Sequence, residues 1–397
     1  GMSEPLRFGV LSTSSIIDAG LTHPCSATNG ATATITALAS RDPALANEYV
    51  QARGDLLRGC RVLSSYQEVI DQADVDAVYI PLPNSLHYEW TMKALRAGKH
   101  VLVEKPFAAN AEEAKGMVQL AKEKGLVCME AQHWYYHPVR ARLLETLESG
   151  VLGKVDEITF SFRMKMGLPP ITLKRAGTFD TKTSSGKMWI MKEGMAGGIS
   201  MNLGTYCLNI MRTMIGEEPV IKSAKAQCLA DDAELEAAMQ IECEFPKSGV
   251  KGNSDWTGMG PEQHFNEMYI KGSEGTLYVN QLMEPQLVPN KITITKKDGS
   301  EESFEVDGND LTTYTHQLLA FVDCVRKVQA GEDCTAFANT WQGPVRQMEA
   351  IDSCYLAAGM TPRCGSPGSG LLSKVKWPPE VPTRWTVVGG GEKGGIM

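Results

Sequence analysis

The first 130 residues alternate short apolar runs with longer segments in which apolar and polar residues are mixed. Short apolar runs bounded by polar residues or glycine are typical of buried strands, and the segments between them are long enough for helices. The pattern predicts strands at 6–11, 34–39, 61–63, 76–80, 100–103 and 126–129, and helices running from 16 toward 28 and over 43–53, 65–72, 84–97 and 110–124. Such alternation predicts an α/β fold with a doubly wound parallel sheet covered on both faces.

Beyond residue 150 the pattern changes to runs in which apolar and polar residues alternate singly, as in a sheet that is wet on one face. Strands are predicted at 155–162, 220–229, 236–245, 267–271, 276–279 and 291–295, with a helix at 200–215. At 397 residues the chain exceeds the usual size of one core. We therefore predict a first domain at 2–134, a second α+β domain with a large, open, predominantly antiparallel sheet at 135–364, and an extended arm at 365–397.

Composition excludes several classes of protein. The formal net charge is −8 without a basic stripe, which argues against a nucleic-acid partner. No apolar run approaches the roughly 20 residues of a membrane helix, and the N-terminus shows no signal pattern. The ten cysteines form no C-x-x-C pair and are not spaced with histidines as zinc ligands would be. These features favour free thiols in a reducing cytoplasm over a disulfide framework, and no metal site is expected.

The turn after the first strand is the first candidate for binding a cofactor. It reads Gly9-x-x-Ser12-x-Ser14-x-x-Ile17, where a dinucleotide-binding turn carries glycines so that backbone can approach a pyrophosphate at a helix N-terminus. Serine is the next smallest choice, and its hydroxyl can bind phosphate. The predicted contacts are Ser12, Thr13, Ser14, Ser15 and Ile16; a plain strand-to-helix turn is the alternative.

The second strand ends at Ser40 and Arg41. A cofactor with a free ribose 2′-hydroxyl usually meets a carboxylate at this position, whereas a hydroxyl and a guanidinium suit a 2′-phosphate. Asp42, one residue later, is placed to cap the helix that begins at Pro43. The residues favour NADP as the cofactor, with NAD possible.

Two further motifs follow the fourth and fifth strands. Pro81, Asn84 and His87 lie after the fourth strand, either near the nicotinamide ribose or as a helix cap and a surface residue of the first turn. Glu104 and Lys105 precede Pro106 after the fifth strand, at the edge where open α/β sheets hold their ligands. A fixed ammonium there can hydrogen-bond a hydroxyl or depress the pKa of a neighbour, and the alternative is a solvated lysine.

These motifs together resemble the Gfo/Idh/MocA oxidoreductases, a family that includes glucose–fructose oxidoreductase, inositol dehydrogenase and dimeric dihydrodiol and D-xylose dehydrogenases. The likeness runs from about residue 6 to 358. It rests on Leu82-Pro83-Asn84-x-x-His87, on Ala97-Gly98-Lys99-His100-Val101-Leu102-Val103-Glu104-Lys105-Pro106, and on Met129-Glu130-Ala131, His137-Pro138, Gly150-Val151-Leu152-Gly153 and Gly197-Gly198 through Tyr206. The resemblance implies a Rossmann domain, a second domain on a large open sheet, a nicotinamide cofactor and a carbohydrate-like or cyclic diol substrate.

The resemblance also suggests catalytic residues on the helix at 200–215. Tyr206 matches the tyrosine of the dihydrodiol and glucose–fructose branches and would move the hydroxyl proton, with Lys105 polarising the same oxygen. Asn202, where the family usually has aspartate, lies with Tyr206 and Asn209 on one helix face. Asn202, with His133, is expected to hold the substrate.

The predicted activity is hydride transfer between the nicotinamide and a secondary alcohol or carbonyl carbon of a sugar-like molecule. Departures from the family lie at Gln132-His133-Trp134-Tyr135 and in an insertion at 181–196, for which a lid, a substrate wall and an inert surface excursion are the alternatives. An inactive dinucleotide-sensing regulator and a lyase that oxidises its substrate transiently are the alternative functions. The broad second face of the open sheet predicts a homodimer or homotetramer.

Overall fold

The computed structural model describes residues 4–28, 30, 32–165, 195–229, 232–261, 265–283, 290–334, 343–365 and 386–387. Its first sheet has six parallel strands in the order β3-β2-β1-β4-β5-β6. The strands are β1 Leu6–Leu11, β2 Ala33–Ala39, β3 Arg61–Leu63, β4 Ala77–Ile80, β5 His100–Glu104 and β6 Cys128–Ala131. The predicted doubly wound parallel sheet is thus confirmed, and strand bounds differ from the prediction by three residues or fewer.

The helices of this part of the chain begin where the sequence supplies caps. They are α1 His23–Ala27, α2 Pro43–Arg53, α3 Tyr66–Asp71, α4 Asn84–Arg96, α5 Ala111–Lys124 and α6 Pro138–Glu148. Asp42 accepts hydrogen bonds from the backbone of Ala44 and Leu45, as predicted, and Asn110 accepts one from Glu113 N. Helix α1 is shorter than predicted, because a π-helical turn at Asp18–Thr22 precedes it.

The second sheet is large and mostly antiparallel, as predicted. Its order is β14-β13-β12-β11-β7-β10-β9-β8-β15, in which β7 and β10, and β8 and β15, pair in parallel. The strands are β7 Val155–Arg163, β8 Val220–Leu229, β9 Asp232–Phe245, β10 Val250–Thr257, β11 Phe265–Gly272, β12 Gly275–Asn280, β13 Ile292–Lys296, β14 Glu301–Phe304 and β15 Thr386–Val387. Strand β10 escaped prediction because Gly252, Asn253 and Asp255 weaken its strand pattern, although its position between β7 and β9 makes it central.

Three more helices complete the described chain: α7 Thr205–Ile215, α8 Thr313–Gln329 and α9 Gly343–Ala357. Helix α7 packs against β7 and β10 on the buried face of the second sheet, where Phe160 and Trp256 are fully enclosed. Helix α8 follows the second sheet in the chain but packs against the first, with Phe321 5.6 Å from Phe8 between ring centroids. This return of α8 brings a distant segment next to the edge of the first sheet.

One expectation about the cysteines is wrong. Cys324 and Cys334 form a disulfide, with their Cα atoms 5.5 Å apart, while free thiols are found at Cys25, Cys60, Cys128, Cys207, Cys243 and Cys354. The sequence pattern missed this pair because α8 and the turn after it, not a motif, bring the two residues together. Over the described ranges, no helix is both long enough and apolar enough to cross a bilayer.

The insertion at 181–196 lies outside the described residues apart from 195 and 196. The predicted arm at 365–397 lies outside them apart from 365 and 386–387. The domain boundaries at 134 and 364 stay predictions.

Candidate active site

The carboxyl ends of β1, β2, β4 and β5 lie along one edge of the first sheet because these strands are parallel. At the end of β1, Ser12 has φ +154°, a conformation that favours glycine, and its Oγ accepts a hydrogen bond of 3.0 Å from Ser14 N. Thr13 Oγ1 lies 3.3 Å from Ser40 Oγ at the end of β2. The predicted turn at Ser12–Ile16 and the predicted strand tip at Ser40 and Arg41 therefore form one hydroxyl-rich surface, the β1–β2 surface.

The remaining residues of this surface are more open. Ser15 is exposed, Ile16 is half-buried and Arg41 is exposed beside Ser40. The Asp42 carboxylate is occupied by the backbone of α2, from which it accepts two hydrogen bonds. The guanidinium of Arg41, rather than a carboxylate, is thus the charged group presented at this strand tip.

Lys105 occupies the tip of β5, where a cis peptide bond joins it to Pro106. Its ammonium donates to the backbone oxygen of Asn202 at 3.0 Å and to Asn202 Oδ1 at 2.8 Å, and it lies 4.8 Å from the centroid of the Tyr206 ring. Burial lowers the pKa of Lys105 to about 8, against the opposing attraction of Glu104 and Glu130. Lys105 therefore contacts both of the other residues predicted to be catalytic.

Two buried carboxyl groups lie behind Lys105. Glu104 Oε1 accepts a hydrogen bond of 2.6 Å from the Tyr79 hydroxyl, and burial raises the Glu104 pKa. Glu130 Oε1 accepts one of 3.0 Å from Phe107 N, and burial raises the Glu130 pKa to about 7. Glu104, which stays a predicted cofactor contact, accepts hydrogen bonds from Tyr79 and from the backbone N–H of Lys105.

Residues 132–134 lie along helix α7. Gln132 Nε2 donates to Thr205 Oγ1 at 3.0 Å, His133 Nε2 lies 2.9 Å from the Tyr206 hydroxyl, and Trp134 Nε1 donates to Asn209 Oδ1 at 3.0 Å. The departure from the family at 132–135 thus forms the immediate surroundings of the catalytic helix.

His133 is buried and has protein partners on both sides of its ring. Besides its contact with Tyr206, its Nδ1 lies 2.8 Å from Thr313 Oγ1, and the ring stacks on Tyr314 at 4.1 Å between centroids. Burial, with Lys105 and His137 adding to it, lowers the His133 pKa to about 3. The two ring nitrogens of His133 therefore meet Tyr206 and Thr313, one each.

The motif after β4 has partners that the sequence did not predict. Asn84 is the first residue of α4 rather than its cap, and its Nδ2 donates to Ala196 O at 2.9 Å. The ring nitrogens of His87 lie 2.8 Å from the backbone oxygens of Pro106 and Leu82. Pro81 is buried. His87 thus connects the loop after Lys105 to the loop after β4, and its ring is enclosed by backbone.

A buried ion pair supports the start of the catalytic helix. Arg363 Nη2 contacts Glu236 Oε2, and Glu236 Oε1 accepts hydrogen bonds from Ser200 N at 2.8 Å and from the Tyr355 hydroxyl at 2.9 Å. Gly198 has φ +124°, and a Cβ there would lie 2.6 Å from the Glu236 carboxylate. A side chain at position 198 would therefore collide with this ion pair.

Sequence reasoning missed Thr313, Tyr314, Glu236 and Arg363. A cap-forming threonine before the amphipathic pattern of α8 predicts a helix start at Thr312, yet nothing local indicates which site that start reaches. Glu236 gave no local signal either, because it falls in the alternating polar series Glu234, Glu236, Gln240, Glu242 and Glu244, which is typical of side chains that face water.

The assembled edge can hold an extended anion on the β1–β2 surface and a hydroxyl or carbonyl oxygen between Lys105 and Tyr206. Two hydrogens of the Lys105 ammonium are used by Asn202, which leaves the third for such an oxygen. A phenol next to an ammonium is suited to proton transfer.

Comparisons with known proteins agree with this arrangement. Residues 14–132 match the family model GFO_IDH_MocA, described as an oxidoreductase family with an NAD-binding Rossmann fold, and residues 141–278 match the GFO/IDH/MocA C-terminal domain. The chain is 32% identical over 355 residues to "D-xylose 1-dehydrogenase (NADP(+)) 2" of Haloferax volcanii, covering 89% of this chain and 97% of that protein.

Two further relatives cover most of the chain. A dTDP-3,4-didehydro-2,6-dideoxy-alpha-D-glucose 3-reductase of Saccharopolyspora spinosa is 26% identical over 368 residues, covering 92% of this chain and 100% of that protein. The 3-ketoreductase KijD10 of Actinomadura kijaniata superposes with a TM-score of 0.70 at 25% identity, covering 88% of this chain and 96% of its own. With both halves of the chain matched, the protein belongs to the Gfo/Idh/MocA family of oxidoreductases.

Proposed function

We propose that this protein is an NADP-dependent dehydrogenase or reductase that acts on a secondary alcohol or carbonyl carbon of a sugar-like or cyclic polyol substrate. The observation that carries the proposal is the contact of Lys105, Asn202 and Tyr206 at the carboxyl edge of the first sheet. The relatives support the substrate class, since they are named for reactions on xylose and on a dTDP-sugar.

The β1–β2 surface fits a nicotinamide dinucleotide. The Ser12 backbone adopts a glycine-like conformation, and the hydroxyls of Thr13 and Ser40 are adjacent, which suits close approach by a phosphate. Ser12–Ile16 would hold the pyrophosphate, and Ser40 and Arg41 the 2′-phosphate. When bound, the nicotinamide supplies the hydride acceptor or donor. KijD10 was solved with NADP and TDP-benzene, which supports the choice of NADP.

The chain's own groups handle the substrate oxygen. Tyr206 exchanges a proton with that oxygen, and the Lys105 ammonium holds it by a hydrogen bond and attracts the negative charge that develops there. Asn202 cannot titrate, so its role is to orient Lys105 through the 2.8 Å hydrogen bond to Oδ1. This division leaves Tyr206 as the residue that moves the proton.

We also propose that the protein is a cytoplasmic homodimer or homotetramer joined through the outer face of the second sheet. Tyr269 is half exposed on this face, and its ring lies 4.9 Å from that of Tyr278. Its neighbours Glu267, Thr159 and Ser161 are polar, a mixture suited to an interface. The buried free thiols of Cys25, Cys128, Cys207, Cys243 and Cys354 support a reducing compartment, although Cys324 and Cys334 form one disulfide.

Lys105→Ala tests the function. Since the ammonium contacts Asn202 and Tyr206, we expect turnover to fall by about 10² or more while NADP affinity stays within a few fold. Turnover with sugars and polyols, and NADP binding by fluorescence, are the measurements. Near-normal turnover in the variant would contradict the proposed site.

A further inference from the structure

The side chain of Thr313 is connected to the proposed proton carrier, Tyr206, through the ring of His133. The hydrogen-bonded series runs from the Tyr206 hydroxyl to His133 Nε2 at 2.9 Å, and from His133 Nδ1 to Thr313 Oγ1 at 2.8 Å. All three side chains are buried, and Thr313 is fully enclosed. Tyr314 stacks on the imidazole and Tyr206 meets it edge-on, so the ring is held in one plane.

The imidazole between the two hydroxyls is neutral. The titratable groups facing it are Lys105 from β5, His137 from the turn before α6, Tyr206 from α7 and Tyr314 from α8. Burial, with Lys105 and His137, lowers the His133 pKa to about 3. A neutral imidazole donates from one nitrogen and accepts at the other, so the two hydroxyls decide between two tautomers.

Thr313 selects one of them. Among the described residues, His133 Nδ1 is the only hydrogen-bond partner of the Thr313 hydroxyl. If Nδ1 carried the proton, the enclosed Thr313 hydroxyl would accept a hydrogen bond and its own proton would have no acceptor, which is costly in a buried site. With Thr313 as donor, Nδ1 is unprotonated and the proton resides on Nε2, facing Tyr206.

We propose that Thr313 fixes the Nε2–H tautomer of His133, and that this N–H donates to the Tyr206 oxygen and thereby stabilises its phenolate during catalysis. Thr313 and His133 are then positioning residues, acting through Tyr206. The inference rests on the proposed function, in which Tyr206 moves the proton.

The proposed hydrogen bond favours the charge state in which Tyr206 must begin the oxidative reaction. In the oxidative direction the substrate O–H bond breaks and its proton forms the Tyr206 O–H bond, while the hydride leaves the substrate carbon for the nicotinamide. Tyr206 must therefore begin as the phenolate, and a hydrogen bond donated to the phenolate favours that form. His133 donates this bond without adding a charge beside Lys105, and it neither gains nor loses a proton in the step.

The test compares three variants of α8 as holoenzymes. Thr313→Val keeps the side-chain volume and removes the hydroxyl, and Thr313→Ser keeps a hydroxyl. Thr315→Val changes a side chain in the same first turn of α8, but it leaves the backbone N–H of Thr315 to donate to Thr312 Oγ1. We expect the rising limb of the kcat–pH profile for alcohol oxidation to move up by about one pH unit in Thr313→Val, with kcat at pH 7 about tenfold lower and KM unchanged. The serine variant should regain the wild-type profile, and Thr315→Val should keep it.

A double-mutant cycle separates this role from packing. In His133→Gln the side-chain amide can donate to Tyr206 without depending on Thr313, so adding Thr313→Val should produce no further shift. An unshifted profile in Thr313→Val, an equal shift in Thr315→Val, or a full additional shift in the double variant would each overturn the inference.

A second readout does not depend on turnover. In ¹⁵N-histidine-labelled protein with NADP, the His133 signal should report a protonated Nε2 in the wild type and a changed tautomer in Thr313→Val. A protonated Nδ1 in the wild type would refute the inference. Lack of activity on sugars and polyols in the wild type, with the expected tautomer present, would instead refute the proposed function.

Discussion

The buried pair Glu236–Arg363 should be among the most sensitive positions for stability. Arg363→Met removes the guanidinium but keeps much of its length. It leaves the Glu236 carboxylate, which is 0% exposed, with donors from Tyr355 and Ser200 among the residues that the structure describes. Breaking a buried ion pair by removing one partner costs about 3–5 kcal/mol, because the remaining charge is desolvated without compensation. We expect a loss of that size in the free energy of unfolding.

Denaturant unfolding monitored by fluorescence and circular dichroism measures this loss. Glu236→Gln/Arg363→Met should recover most of it, since the neutral amide can still accept from Ser200 and Tyr355. Arg58→Met is the matched control, because the Arg58–Asp55 pair has side chains 79% and 87% exposed and such pairs contribute little. A single variant as stable as the control, or a double variant no better than the single, would refute the reasoning.

Arg363→Met should also lower catalytic turnover, although Arg363 is not one of the proposed substrate-binding residues. Glu236 holds Ser200 N at the beginning of the π-helical turn Ser200–Gly204, which carries Asn202 and leads into Tyr206. A shift of the Glu236 carboxylate therefore displaces Asn202 and Tyr206, which surround the Lys105 ammonium. Measured on the folded fraction below the unfolding transition, kcat should fall in Arg363→Met more than KM rises.

Three other outcomes are expected. Arg41→Ala should weaken NADP binding about tenfold or more and leave NAD binding nearly unchanged, because it removes a charge-assisted phosphate contact; equal weakening in a titration of both cofactors would contradict the assignment. Tyr206→Phe keeps the ring and removes the titrating hydroxyl, so turnover should fall by about 10²–10⁴ and the kcat–pH profile should lose the limb due to the phenol; an unchanged profile would place the acid–base group elsewhere. Light scattering at micromolar concentration should give a dimer or tetramer, and a 43.3 kDa particle would refute the oligomer.

The local pattern of the sequence determined the first sheet and the position of its ligand-binding edge. Apolar runs with intervening helices define parallel strands, and parallel strands bring their carboxyl ends to one edge. Lys105 after β5, Ser40 and Arg41 after β2, and the cap at Asp42 therefore followed from neighbouring residues alone. Helical spacing over 200–215 also placed Asn202 and Tyr206 one turn apart, because helical periodicity is local, although the structure has Asn202 in the π-helical turn Ser200–Gly204 that precedes α7.

Only the tertiary structure decided which residues surround that edge. Thr313 is 180 positions from His133, and Glu236 is 127 from Arg363, so no local periodicity links them. Helix α8 reaches the site because it packs against the first sheet after the chain has completed most of the second. The partners of His87 were missed for a related reason: they are backbone oxygens of two loops, and backbone oxygens carry no sequence signal. Hydrogen bonds and ion pairs in a core depend on which distant segments meet, and that is settled by packing rather than by the order of residues.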